Sequence, residues 1–155
     1  QYSNDEIEIV MAHELAHQRH NDVWRLYGFQ AAVLVTVFGL SAWLFETSVR
    51  LSDYVNLINP AALPLLLLCF FAAGLPALPL LAWFSRRLET AADVYALELT
   101  SNPEVFVSAM TKLTDQNLSE ARPSSFLERL GQDHPSYNDR VKMAEEFSDK
   151  ASCSN

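Results

Sequence analysis

The chain is poor in the features that mark several common classes of protein. It has only two cysteines in 155 residues. Cys69 lies in an apolar run and Cys153 in a polar stretch near the end. Neither belongs to a Cys-x-x-Cys pair, so a disulfide framework and a thiolate zinc site are both excluded, and two free thiols are expected. Positive charge is scarce too. Lys and Arg number 11 against 19 Asp and Glu, and the formal net charge is -8. No segment is basic enough to track a phosphate backbone, which excludes a nucleic-acid partner. There is no internal repeat and no run with the period-2 alternation of a strand. Methionine is missing from the first position, no signal peptide precedes the chain, and the most informative motif begins a dozen residues in. The chain therefore reads as a single domain cut from a longer protein.

What it does have is apolar length. Half of the residues are hydrophobic and 19% are charged. Residues 26–45 carry no formal charge, enough for a membrane-crossing helix, with Gln30, Thr36 and Ser41 as polar interruptions. A second uncharged run covers 54–85, with its span expected at about 57–84. It holds Pro60, Pro64, Pro76 and Pro79, so it reads as a kinked or broken span. The rival reading is a buried hairpin in a soluble core, but a chain this short has little polar sequence with which to cover both runs.

The remaining segments read as helices. Ser3 and Glu6 have the spacing of a capping box, and apolar positions then recur at helical spacing to about His20. Asn21-Asp22 allows a break or the cap of a next helix. Arg86 to Thr100 reads as an amphipathic helix. Asn102-Pro103-Glu104 signals another start. A short helix is expected over Ser124–Leu130, ended by Gly131. A last helix begins near Ser136 and passes into a flexible tail at 146–155.

One pattern carries chemistry: His13-Glu14-Leu15-Ala16-His17. Two histidines four apart on a helix are separated by about 40° and one turn, so both imidazoles can reach one metal ion. Glu14, about 100° round from its neighbour, can address a water at the metal's open position. The pattern thus encodes two ligands and a general base. The alternative is an amphipathic helix with incidental surface histidines. His20 reads as a solvated helix-end residue rather than a third ligand.

A catalytic zinc needs a third protein ligand and an open position. Glu89 and Asp93 share a helix face, so one can bind the metal while the other holds the outer ring nitrogen of a ligating histidine. Arg86, three residues before Glu89, could pair with either acid. Taken alone, this is an ordinary charged helix face. Topology favours the functional reading: two antiparallel spans would return the chain to the side it left and bring Glu89 back to His13 and His17. Arg19, Arg25, Arg86 and Arg87 flank the metal side while the intervening loop holds only Arg50, which predicts an active site facing the cytoplasm.

These residues carry a family resemblance. His13-Glu14-x-x-His17, two apolar spans, then Ser85-Arg86-x-x-Glu89-x-x-Ala92-Asp93-x-x-Ala96 resemble the integral-membrane zinc metalloproteases that include the CAAX prenyl endopeptidase and the heat-shock protease HtpX. Asp115-Gln116-Asn117-Leu118, His134-Pro135 and Arg140 resemble the closing part of that domain and tilt the reading towards the CAAX-protease-like branch. The resemblance implies a mostly α, zincin-like catalytic core with two transmembrane helices inserted between the zinc-ligand helices. It implies one Zn2+ per chain on His13, His17 and Glu89, with Glu14 as base. Asp93 would brace a zinc histidine, His134 would stabilise the oxyanion or hold the substrate backbone, and Arg140 would support that region. The implied partners are a lipid bilayer and a peptide or membrane-protein substrate, prenylated in one branch and a quality-control target in the other. A protein that kept the metal site as a non-proteolytic adaptor is the alternative. Ala16 departs from the family, in which glycine often stands there. The family's further spans and substrate-aligning edge strand are expected upstream of Gln1.

Overall fold

The structure, a computed structural model, describes residues 2–51, 60–116 and 134–153. Every regular element among these residues is helical: α1 (Asn4–His20), α2 (Asp22–Arg50), a 3-10 turn (Pro60–Ala62), α3 (Leu63–Gly74), α4 (Ala77–Thr100), α5 (Pro103–Gln116) and α6 (Tyr137–Cys153). The helix expected over Ser124–Leu130 and most of the Asp115–Leu118 motif lie outside the described residues.

Helix α1 starts as its sequence dictates. Ser3 accepts the Glu6 amide and Glu6 reaches back to the Ser3 amide at 2.7 Å, closing the capping box. It ends at Asn21, whose φ of 55° is left-handed, a conformation Asn tolerates better than most residues. Helix α2 begins at the next residue, Asp22, so only one residue separates the two helices. Helix α4 ends similarly at Ser101, with φ of 52° and its amide on the Leu97 carbonyl. Asn102 then accepts the Val105 amide and opens α5.

Two boundaries differ from the sequence reading. The amphipathic helix does not begin at Arg86. It continues unbroken from Ala77: the charge that begins at Arg86 changes the composition of the helix but not its backbone. The interruption of the second apolar run falls at Leu75-Pro76, while Pro64 and Pro79 sit in first turns, where a missing amide costs nothing. Helix α6 runs on through residues 146–153, where the sequence reads as a flexible tail.

The chain divides into two compact units, residues 1–24 with 82–155, and residues 25–81. The first has a conventional core. Ile9 and Ala12 of α1, Ala96 and Leu97 of α4, Phe106, Ala109 and Met110 of α5 and Ala144 of α6 are buried together. The second buries little. Val37, Ser41 and Cys69 are inside, but Val35 is 72% exposed and Leu68 64%. Phe38 and Phe70 meet at 5.6 Å between ring centroids. Its polar interruptions are self-satisfied: Thr36 donates to the Ala32 carbonyl and Ser41 to the Val37 carbonyl. Helix α2 and the combined α3–α4 segment Leu63–Thr100 contain stretches long and apolar enough to cross a membrane, and only 11% of each stretch is buried within the protein. A soluble-core hairpin would be mostly buried, so the exposure argues against that reading.

Candidate metal centre

All residues of the site belong to the first unit. Helix α1 is anchored against the core by Ile9, Ala12 and Ala16, which are buried on one face. The methyl of Ala16 is fully enclosed, so the residue that departs from the family pattern is part of the packing. His13 and His17 emerge beside this face, half-buried, and Glu14 is exposed. On α4, Leu88, Ala92 and Ala96 are buried. Asp93 is wholly inside with them, an arrangement that a carboxylate accepts only with partners.

The donor atoms converge. His13 Nε2 and His17 Nε2 are 3.1 Å apart. His13 Nε2 lies 3.6 Å from Glu89 Oε2, and His17 Nε2 lies 3.5 Å from Glu89 Oε1. A tetrahedral ion with bonds of about 2.0–2.1 Å separates its ligand atoms by roughly 3.3 Å. The three spacings bracket that figure. Among the described residues this is the one group of three His, Cys or acidic side chains gathered closely enough to hold an ion. Two nitrogens and one carboxylate oxygen suit Zn2+ and leave a fourth position for water or substrate.

The outer faces of both imidazoles are fixed by carboxylates. Nδ1 of His13 is 2.9 Å from Asp93 Oδ1, and Nδ1 of His17 is 3.0 Å from Asp22 Oδ2. Each carboxylate accepts the Nδ1 proton and leaves the Nε2 lone pair for the metal. Burial disfavours charge on His13, but Asp93 and Glu89 outweigh it and raise the pKa to about 9. The field that holds a proton there also suits a divalent cation, so the residues fit the ion that the motif implies.

Helix α6 closes the site from a third side. Ser136 caps it, its hydroxyl donating to Asp139 Oδ2 at 2.7 Å and accepting the Asp139 amide at 3.3 Å. The first turn then aims Arg140 at α4. Its Nε is 3.0 Å from Asp93 Oδ2, off the line of a hydrogen bond, so the contact is an ion pair between two buried groups. Its outer nitrogens reach Glu89 Oε2 at 3.5 Å and Met110 Sδ at 2.9 Å. His134 Nδ1 is 2.8 Å from the same Glu89 oxygen, though the ring is 67% exposed.

The structure thus gathers His13, His17, Glu89, Asp93, His134 and Arg140 in one place. Glu14, on the neighbouring face of α1, makes no side-chain hydrogen bond or ion pair with a described residue. The guanidinium that meets Asp93 is that of Arg140. Arg86, the nearer arginine in sequence, lines a recess with Thr90 on the same helix. His20 is not a ligand; its ring lies edge-on to Tyr95 at 5.7 Å. Asp22 is the residue that sequence reasoning missed. It was legible only as a cap, yet its carboxylate, five residues after His17 and 4% exposed, is the outer partner of that ligand.

A profile of peptidase family M48 matches residues 1–148. The chain belongs to peptidase family M48. Among similar proteins, the uncharacterized metalloprotease YhfN of Bacillus subtilis is 32% identical over 148 residues, covering 92% of this chain and 34% of that protein. The protease HtpX homolog of Desulfotalea psychrophila is 31% identical over 160 residues, covering 92% and 55%. That of Campylobacter concisus is 32% identical over 157 residues, covering 90% and 54%. The chain therefore spans between a third and just over half of the length of these relatives. Two of the three carry the HtpX name, and none carries that of the CAAX-protease-like branch towards which the closing motif tilted. No solved structure matches the chain.

Proposed function

We propose that this chain is the catalytic core of a membrane-embedded zinc endopeptidase of the HtpX-like kind, acting on membrane or membrane-associated proteins. The observation that carries the reading is the convergence of His13 Nε2, His17 Nε2 and a Glu89 oxygen at 3.1–3.6 Å, with both outer imidazole nitrogens held by buried carboxylates. Membership of M48 and the HtpX names of the relatives support the protease and the choice of branch.

Zinc held by His13, His17 and Glu89 would supply Lewis acidity, polarising a peptide carbonyl and acidifying a water. The chain's own groups do the rest. Glu14 takes the proton of the attacking water and returns it to the leaving amine. Asp93 and Asp22 hold the ligand imidazoles in one tautomer. Arg140 balances the buried charge of Asp93 and steadies Glu89. His134, at the exposed edge of the site, is the group to meet the developing oxyanion. The two candidate membrane spans and the arginines that flank the site in sequence support an active site on the cytoplasmic side of a bilayer.

The full-length protein in detergent should carry one zinc per chain, and the His13→Ala/His17→Ala variant none. Glu14→Gln should keep the metal and lose cleavage by about 10²–10⁴-fold, the usual weight of a general base. Cleavage at the wild-type rate in that variant would remove Glu14 from the mechanism. An unmodified membrane-protein substrate should be cut at least as well as a farnesylated peptide; strict dependence on the prenyl group would restore the CAAX-type reading.

A further inference from the structure

The chain has three tryptophans, and all of them face outward: Trp24 is 76% exposed, Trp43 62% and Trp83 48%. Tryptophan is on average a well-buried residue, so three exposed rings call for an explanation. Their positions supply one. Trp24 stands two residues before the uncharged run 26–45, and Trp43 two residues before its end. Trp83 stands two residues before the end of the uncharged run 54–85. Each ring therefore marks an edge of an apolar stretch, and no step of the proposed hydrolysis uses any of them.

Trp24 and Trp43 lie on one unbroken helix, α2. They are 19 residues apart, about 28 Å along the axis at roughly 1.5 Å per residue. The hydrocarbon core of a bilayer is about 30 Å thick. An indole joins an apolar body to one N–H donor, which suits the level where lipid meets water. Tyr27, one turn after Trp24 and 62% exposed, has the same character. At Trp83 the guanidinium of Arg87 lies 5.7 Å from the ring centroid, so a cation accompanies the aromatic at that level. A protein partner would ask for one contiguous patch, whereas Trp24 and Trp43 stand at opposite ends of the run.

We infer that Trp24, Trp43 and Trp83 are interfacial anchors that hold the metal centre at the headgroup level, so that the enzyme cuts juxtamembrane bonds. The inference rests on the proposed membrane and peptidase readings and names the substrate segment. Trp24, Trp83 and the metal cluster all belong to the first unit. Asp22, the brace of His17, is two residues outside Trp24, about 3 Å along the helix, and Glu89 is six residues outside Trp83, about 9 Å. Headgroups add about 5–8 Å on each side of the hydrocarbon, so these heights match that layer. An extended chain advances about 3.3 Å per residue, which puts a bond at this height about one to three residues beyond the substrate's own span.

The test uses the full-length protein in lipid vesicles. Single nitroxide-labelled cysteines in a cysteine-free background report depth through access to oxygen and to a water-soluble nickel chelate. Labels at Trp24→Cys, Trp43→Cys and Trp83→Cys should lie at the edge of the hydrocarbon. Leu34→Cys, ten residues along α2 from Trp24, should lie about 15 Å deeper. Gln18→Cys, beside His17, should lie in the headgroup layer. Mass spectrometry of products from single-span substrates should place the cuts within about five residues of the span. Trp24→Ala/Trp83→Ala should broaden both the depth of the Gln18 label and the spread of cuts, and Tyr at both positions should restore them. A label at position 24 or 83 in bulk water, or as deep as that at 34, overturns the inference. So do cuts scattered through the soluble parts of substrates, or unchanged depth and cut positions in the alanine variant, and both leave the peptidase reading standing. Expected depths with no cleavage of any substrate overturn the peptidase reading and leave the anchors in place. Water access at every label, position 34 included, overturns the membrane reading and the inference with it.

Discussion

The two units solve opposite problems with the same secondary structure. In residues 1–24 and 82–155 large side chains go inside: Phe106, Ile9, Leu97 and Met110 are essentially fully buried, and so is Asp93. In residues 25–81 the large side chains go outside, with Val35, Phe38, Trp43, Leu68 and Phe71 each more than half exposed. A helix in water hides its apolar stripe against a partner. A helix facing lipid would have no reason to, and among the described residues of 25–81 those inside are Val37, Ser41, Ala62 and Cys69. The contrast also explains where charge can be stored. The first unit can bury acids because its cations and amides answer them. The second satisfies the hydroxyls of Thr36, Ser41 and Thr47 on its own backbone.

Four tests would break or sharpen this contrast. The largest effect is expected from Phe106→Ala, which empties the centre of the first core and should cost about 3–5 kcal/mol. The matching change in the second unit, Phe71→Ala, should barely move the melting temperature in detergent. Equal losses would mean that residues 25–81 fold around a core of their own. Next, Val35→Arg puts a charge on the outward face of α2 and should cost about 2.5–3.5 kcal/mol of insertion, read as the inserted fraction in a glycosylation-mapping assay. Full insertion of that variant would argue against α2 as a span.

Asp22→Ala should weaken zinc binding about 10–100-fold in a chelator competition, because His17 loses the acceptor that fixes its tautomer. Asp22→Asn, which can still accept through its amide oxygen, should fall between. The smallest effect concerns Glu6. Lys112 at 2.6 Å, Ser108 at 2.7 Å and the Ser3 amide lower its pKa to about 2. A lowered carboxylate pKa stabilises the fold above the unfolded value, and that gain fades as pH falls through the folded one. Wild type should therefore melt above Glu6→Gln at neutral pH, and the gap should close between about pH 4.5 and 2. A gap that persists at pH 2 would assign the difference to packing.

Much of this was readable in the residues. Ser3 and Glu6 announced the start of α1, Asn102-Pro103 that of α5, and His13-Glu14-x-x-His17 the chemistry. Local signals of this kind survive because cap and ligand geometry repeat within one turn. What failed was reading across space. Spacing along α4 offered Arg86 to the acids, whereas the arginine against Asp93 comes from α6, 47 positions later in sequence by the numbering. Arg140 was named through resemblance, since no periodicity links it to α4. Asp22 was hidden for a subtler reason. Its carboxylate reaches back to His17 only because Asn21 turns left-handed, and one residue's φ has no periodic signature. The unbroken course of α4 was obscured because charge begins at Arg86 and looked like a helix start.

The site is also written into the chain in an order that matters during synthesis. A ribosome delivers His13 and His17 first, then the two apolar stretches, then Glu89 and Asp93, and Arg140 last. Until the second apolar stretch has been made and has turned the chain back, the early histidines have no third donor, and Asp93 has no arginine. On the proposed membrane reading, completion of the metal centre is contingent on correct insertion of both apolar stretches, and a stalled or misinserted chain carries the recognisable motif without the assembled cluster.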